Sequence, residues 1–244
     1  MINALKNELI KLFSKKKYIV LLIIALLICA GREGMNLILS KLTHTDIKSA
    51  NMIMEIFPFF AEVYVPLVVF MAMCDLLSSE MHDLTIKASL LRPVTRFKLL
   101  SAKMLSSFIM GAVFYIFILI VCTALQSVFG KLTASYLLKS TAAYLIDLVP
   151  LFVLVLFAAL INMLCKTPTL SMFMTIVGYA VLKYCNYFSP ILNNMLFTSY
   201  MQWHKLWIGS IIPFGALFTK VCIIVGTSLL LYTSDYILFD KKEY

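Results

Sequence analysis

Four ionisable residues interrupt apolar runs, where charge is costly: Glu62, Asp147, Lys183 and Lys220. Each stands about five or six residues in from the end of its run, roughly 8–10 Å at 1.5 Å per residue. The four therefore share one layer, with two acids and two bases in it. Charged groups in such segments face a bundle interior or a water-filled cavity. Two chemistries are open to them: a polar lining along a solute path, or ion pairs that brace the helices. The balance of signs favours the brace. A second polar group is continuous in the chain, the stretch Glu80 to Lys103, EMHDLTIKASLLRPVTRFKLLSAK, lying between two long apolar segments. It carries five Lys or Arg, two acids and one proline.

Several chemistries are absent from the sequence. There is no G-x-x-x-x-G-K-[ST], so the chain has no P-loop with which to hold ATP. There is no H-E-x-x-H and no G-x-S-x-G, which removes the familiar hydrolase signatures. His44, His82 and His204 are far apart and lack metal-ligand spacing. The six cysteines fall in or beside apolar runs with no C-x-x-C, and read as small buried hydrophobes. No cofactor or metal is expected.

The elements that must position these residues are membrane helices. The chain of 244 residues is 62% hydrophobic and 14% charged, outside the soluble range in both directions. The expectation is one all-α transmembrane domain. Spans are expected at 18–39, 57–77, 105–128, 142–165, 168–188 and 214–232. Pro66 is a kink site in the second, and Pro168 tolerates the first turn of the fifth. The basic run Lys15 to Lys17 before an apolar segment suggests a signal peptide, but the amphipathic lead and bulky Ile28 before Cys29 point to an uncleaved span. Residues 1–16 form an amphipathic helix with Ile2, Leu5, Leu9, Leu12 and Phe13 on one face, suited to a membrane surface. The segment 190–213 is broken by Asn193, Asn194, His204 and Lys205. Its Tyr200, Trp203 and Trp207 suit an interface, so it reads as re-entrant.

The net charge of +9 is a matter of topology, and no nucleic-acid role is read from it. With the N-terminus inside, thirteen of the 21 Lys and Arg fall on inner segments, six on outer segments and two within spans. That excess puts both termini and the 78–104 stretch in the cytoplasm of a multi-pass cell-membrane protein. Within the stretch, Met81, Leu84, Ala88 and Leu91 fall on one helical face. Arg92 precedes Pro93, which ends that helix. Thr95 caps a second helix, with Val94 and Leu99 placed as a hydrophobic staple. This second helix runs into the third span.

The stretch resembles the first cytoplasmic loop of ABC-2 type exporter permeases. Their loose pattern is Glu, Gly-Thr-Leu, Leu, Pro-Val-Ser-Arg and a later Lys. It is matched by Glu80, Thr85, Leu90 or Leu91, Pro93-Val94-Thr95-Arg96 and Lys103. The N-terminal helix with Glu8 and Lys11 and the broken segment before the last span are similar too. Leu84 replaces the family's Gly, which suggests a more regular helix, and Thr95 replaces its Ser. The resemblance implies the membrane subunit of an ATP-driven exporter, coupled to a separate ABC-type ATPase and to a second permease, identical or different. It implies an elbow helix at the N-terminus and a coupling element from Glu80 to Arg96. Glu80, Thr85, Leu91, Arg92, Pro93 and Arg96 would form the docking set. The permease would not be an enzyme, since ATP would bind to the partner. Two other classes remain open: an ion-coupled secondary transporter using the buried layer, and a non-transporting membrane anchor or immunity protein.

Overall fold

The computed structural model describes residues 2–43, 52–86, 95–129, 133–208 and 214–242. Among these there is no strand. The helices are α1 (Ile2–Phe13), α2 (Lys16–Thr43), α3 (Met52–His82), α4 (Arg96–Phe129), α5 (Ala134–Ile146), α6 (Leu148–Leu164), α7 (Pro168–Phe188), α8 (Pro190–Met195) and α9 (Phe214–Lys241). Two 3₁₀ turns, Phe197–Tyr200 and Trp203–Leu206, lie between α8 and α9.

Five membrane crossings are supported by length and apolarity among the described residues: α2, α3, α4, the α5–α6 pair and α9. The chain is thus a multi-pass, all-helical membrane protein. The 21-residue α7, expected as the fifth of six spans, is not among those five.

Helix α3 packs against α4 and α6, and α9 lies along α6. Phe57, Phe60, Phe70 and Phe114 fill the centre, all buried. Gly111 of α4 makes room for the contact: a Cβ there would meet Leu151 and Val69 side chains at 3.0 Å.

The sequence-based expectations fail locally in three places. The last helix continues past Tyr232 to Lys241, because the apolar run YILF resumes after Ser234 and Asp235. The loop expected before the fourth span is largely helical, since α5 starts at Ala134. The more regular helix expected around Leu84 is interrupted: the turn Asp83–Thr85 follows α3, and Leu84 takes a left-handed backbone with φ 55°. Glycine adopts that conformation freely and leucine does not. The helix break at Pro93 lies outside the described residues, as do Ala88, Leu91, Arg92 and Val94. Thr95 does cap α4, accepting at Oγ1 from the Lys98 N–H at 3.4 Å.

Helix α3 is not a plain α-helix. It contains two π-turns, Phe60–Tyr64 and Cys74–Ser78, each carrying one acid, Glu62 and Asp75. π-Turns inside α-helices recur at functional sites.

Candidate functional site

The functional side chains gather at the two ends of the bundle. At one end, α1 lies across the last turn of α3 and the start of α4, and joins them through charges. The Lys103 ammonium is fully buried. It donates to Glu80 Oε2 at 2.6 Å, Glu8 Oε2 at 3.2 Å and the Leu76 carbonyl at 2.9 Å. Lys11 bonds the other oxygen of each acid, Glu8 Oε1 and Glu80 Oε1, both at 2.8 Å. Two carboxylates and two ammonium groups thus form a closed ring over three helices. The Lys11 ammonium loses some stability to burial. Its bonds to Glu8 and Glu80 outweigh that loss and move its pKa above the ordinary lysine value.

This ring explains which face of α1 points inward. Glu8 and Leu12 are buried, while Ile2, Ile10 and Phe13 remain exposed. A helix that turns a charged residue into the protein and leaves an apolar edge outside suits a membrane surface on that edge.

A second cluster lies beside the ring. Asp75, carried by the second π-turn, accepts from Lys15 at 3.1 Å, Lys17 at 2.6 Å and the Tyr18 hydroxyl at 2.6 Å. The basic start of α2 is thereby fixed to α3. The end of α9 closes the same face. Arg96 Nη1 donates to the Asp240 carbonyl at 2.5 Å and lies 3.9 Å from its carboxylate. Lys242 reaches the Met163 carbonyl at the end of α6.

The expected docking set is therefore divided. Glu80 turns inward to the ring. Thr85 sits in the turn, its hydroxyl donating to the Glu80 carbonyl at 3.4 Å. Arg96 holds the end of α9. Leu91, Arg92 and Pro93 lie outside the described residues.

The buried layer is at the opposite end. Two of its four expected members meet: Lys183 of α7 pairs with Glu62 of α3. Gln202 joins them, donating from Nε2 to Glu62 Oε1 at 2.6 Å. Pro66 has no N–H to give the Glu62 carbonyl four residues back, and the Tyr179 hydroxyl takes that place at 2.8 Å. The π-turn, the proline and the ion pair are thus one local arrangement.

Asp147 and Lys220 go elsewhere. Asp147 breaks the helix between α5 and α6 and is fully buried. It accepts from the His204 backbone N–H at 2.6 Å and meets His204 Nδ1 at 2.8 Å. Phe57 lies against both Tyr144 and that imidazole, with ring centroids 4.0 and 5.1 Å apart. The pair pins the second 3₁₀ turn to the bundle. Lys220 of α9 sits 6.0 Å from the Tyr200 ring centroid.

Sequence reasoning missed Asp75, Gln202 and Asp235, and read His204 as a break in the 190–213 segment without ligand spacing, not as the partner of Asp147. Asp235 is fully buried, and its carboxylate oxygens meet no hydrogen-bond partner among the described residues. The apolar YILF after it was the available signal that the span continued. For His204 the signal was weaker: an imidazole in the same broken segment as two tryptophans, with Asp147 unpaired by any span neighbour.

Among the described residues no cluster of His, Cys, Asp and Glu is arranged to hold a metal ion. A family model described as "ABC-2 family transporter protein" matches residues 4–183, from α1 through most of α7. No curated protein matches the chain.

Proposed function

Because the chain belongs to the ABC-2 family of transporter proteins, we propose that it is the permease subunit of an ATP-driven exporter, docked on a separate ABC-type ATPase and paired with a second permease. The single observation that carries this reading is the ring of Glu8, Lys11, Glu80 and Lys103. A ring of buried charge joins α1, the end of α3 and the start of α4 into one piece. A push on the 83–96 stretch then moves two membrane helices together, which is what a partner that closes on ATP requires. Glu80 serves as the internal anchor of that piece. Asp83, Thr85 and Arg96 remain beside the docking surface, with Leu91, Arg92 and Pro93 completing it.

In this reading α7 is the fifth of six spans, 190–213 re-enters from the outer side, and both termini face the cytoplasm of a cell-membrane protein. ATP hydrolysis belongs to the partner, and the permease itself is not an enzyme. Lipid contacts the exposed edge of α1. The Asp147–His204 pair holds the re-entrant segment against the bundle as an outer closure.

The test is co-purification with a co-expressed ABC-type ATPase from the same genome. Asp83→Lys and Arg96→Glu reverse charges at the proposed surface without entering the ring. Loss of the ATPase from permease that still inserts and stays monodisperse is the expected result. Full retention by both variants overturns the docking assignment.

A further inference from the structure

Glu62 forms a wall shared by two cavities of opposite character. On one side is a groove of about 560 Å³ between α3 and α7, lined by apolar residues such as Pro66, Leu67, Phe70, Ile176 and Ala180. On the other is a polar chamber of about 290 Å³ formed by the 3₁₀ turns and α9, with Asn193, Asn194, Ser199, Gln202, Lys205 and Lys220 in its lining. The Glu62–Lys183 pair stands at the junction. Of the lysines lining the two cavities, Lys183 is held by Glu62 and Lys205 lies in the field of the Asp147 carboxylate, so Lys220, which meets no acid among the described residues, supplies the positive charge in excess.

From this arrangement we infer that the two cavities form one bipartite site for an anionic phospholipid, with its phosphate in the chamber and an acyl chain in the groove. The excess of positive charge selects a phosphate-bearing head. The head also meets unused hydrogen-bonding capacity. Gln202 Oε1 and Ser199 Oγ are buried and have no partner among the described residues, and such groups are costly unless a ligand or water satisfies them. The two glycerol hydroxyls donate to Gln202 Oε1 and Ser199 Oγ, and the phosphate accepts from Lys220.

The order of the groove fits a bilayer leaflet. Its charged end lies toward the end of α7, and its apolar floor of Pro66, Leu67 and Phe70 lies deeper along α3. Tyr184 and Tyr187 flank the groove and are strongly exposed, as aromatic residues are at a headgroup boundary. A lipid enters sideways, without passing through the bundle. The inference rests on the transporter reading only for what the lipid is for, cargo or cofactor of the fold. The binding itself needs no ATPase.

The experiment is native mass spectrometry of the delipidated permease titrated separately with phosphatidylglycerol, phosphatidylcholine, diacylglycerol and glycerol phosphate. Phosphatidylglycerol is expected to bind about tenfold more tightly than phosphatidylcholine, the worth of a charge-assisted contact. Diacylglycerol and glycerol phosphate, each offering half the ligand, should be retained far less. Lys220→Gln and Lys183→Gln should each weaken phosphatidylglycerol about tenfold, and Ala180→Trp should block the groove to both phospholipids. Glu62 is left untouched, because changing it alters both cavities at once. Lys220→Gln guards against misfolding, since it changes one charge at a partly exposed position. Equal binding of the two phospholipids overturns the site, as does phosphatidylglycerol binding unchanged in Lys220→Gln and Ala180→Trp. Retention of glycerol phosphate alone at lipid-like affinity reassigns the chamber to a soluble anion and also overturns it. Either failure leaves ATPase co-purification unaffected, so the two readings stand or fall separately.

Discussion

Replacing Lys103 with methionine removes one ammonium from the ring and keeps most of the stem volume. Three contacts disappear, those to Glu80, Glu8 and the Leu76 carbonyl. The Glu8 side chain is 5% exposed and that of Glu80 is 12% exposed, so water cannot take the lysine's place. Removing one partner of a buried ion pair costs about 3–5 kcal/mol. Lys11 still bonds one oxygen of each acid, which puts the expected loss at the lower end, ~3 kcal/mol. That is roughly a hundredfold in the folding equilibrium. The assay is reversible unfolding of the purified permease in mixed micelles of mild detergent and dodecyl sulfate. The decisive comparison is with Lys103→Met combined with Glu8→Gln and Glu80→Gln. Neutral groups of the same shape do not leave a buried charge unpaired, so the triple variant should be more stable than Lys103→Met alone, despite carrying more substitutions. The reasoning is refuted if Lys103→Met lies within about 1 kcal/mol of the parent, or if the three losses simply add.

Two further outcomes are expected. Leu84→Gly should raise stability by about 1 kcal/mol, because a left-handed leucine costs about 1–2 kcal/mol and glycine returns part of that as unfolded-state entropy; Leu84 is largely exposed, so little packing is lost, and a lower melting temperature would contradict the φ of 55°. His204→Leu should cost about 3 kcal/mol by stranding the buried Asp147 carboxylate, and should expose the 197–206 segment to protease; adding Asp147→Asn should recover part of the loss, and no recovery would show that the two residues are not coupled.

Much of this fold was legible because membrane helices announce themselves by composition alone. The apolar runs of the five crossings needed no tertiary information. Thr95 was legible as a cap because capping is local. The interiors of the clusters were not legible, for a physical reason. Glu8 and Lys103 are 95 residues apart, and each looks like an ordinary solvent charge in its own segment. Only the crossing of α1 over α3 and α4 makes one partner for the other. Glu62 and Lys183 were found because a charge in an apolar run is conspicuous wherever its partner lies. Asp147 was found for the same reason, but its partner was sought among span lysines and proved to be His204. Leu84 was misread in the other direction. Its side chain favours helix, and the turn Asp83–Thr85 overrides that preference.

The two π-turns of α3 also bear on how this helix tolerates changes in length. A π-turn holds one residue more than the α-helical turn it replaces. Deleting a residue such as Val63 within the first turn would close it to an ordinary α-turn and leave the helix on both sides in nearly its present register, because the wide turn covers about the same rotation with one residue more. The same deletion in the plain α-helical stretch between the turns, at Val68 for example, would rotate everything beyond it by about 100° and carry Asp75 and Glu80 away from their partners. The second turn gives the same freedom next to the Glu80 ring. Each turn is thus a place where α3 can lose one residue without moving its two ends, and a one-residue deletion there should be less damaging than the same deletion elsewhere in the helix.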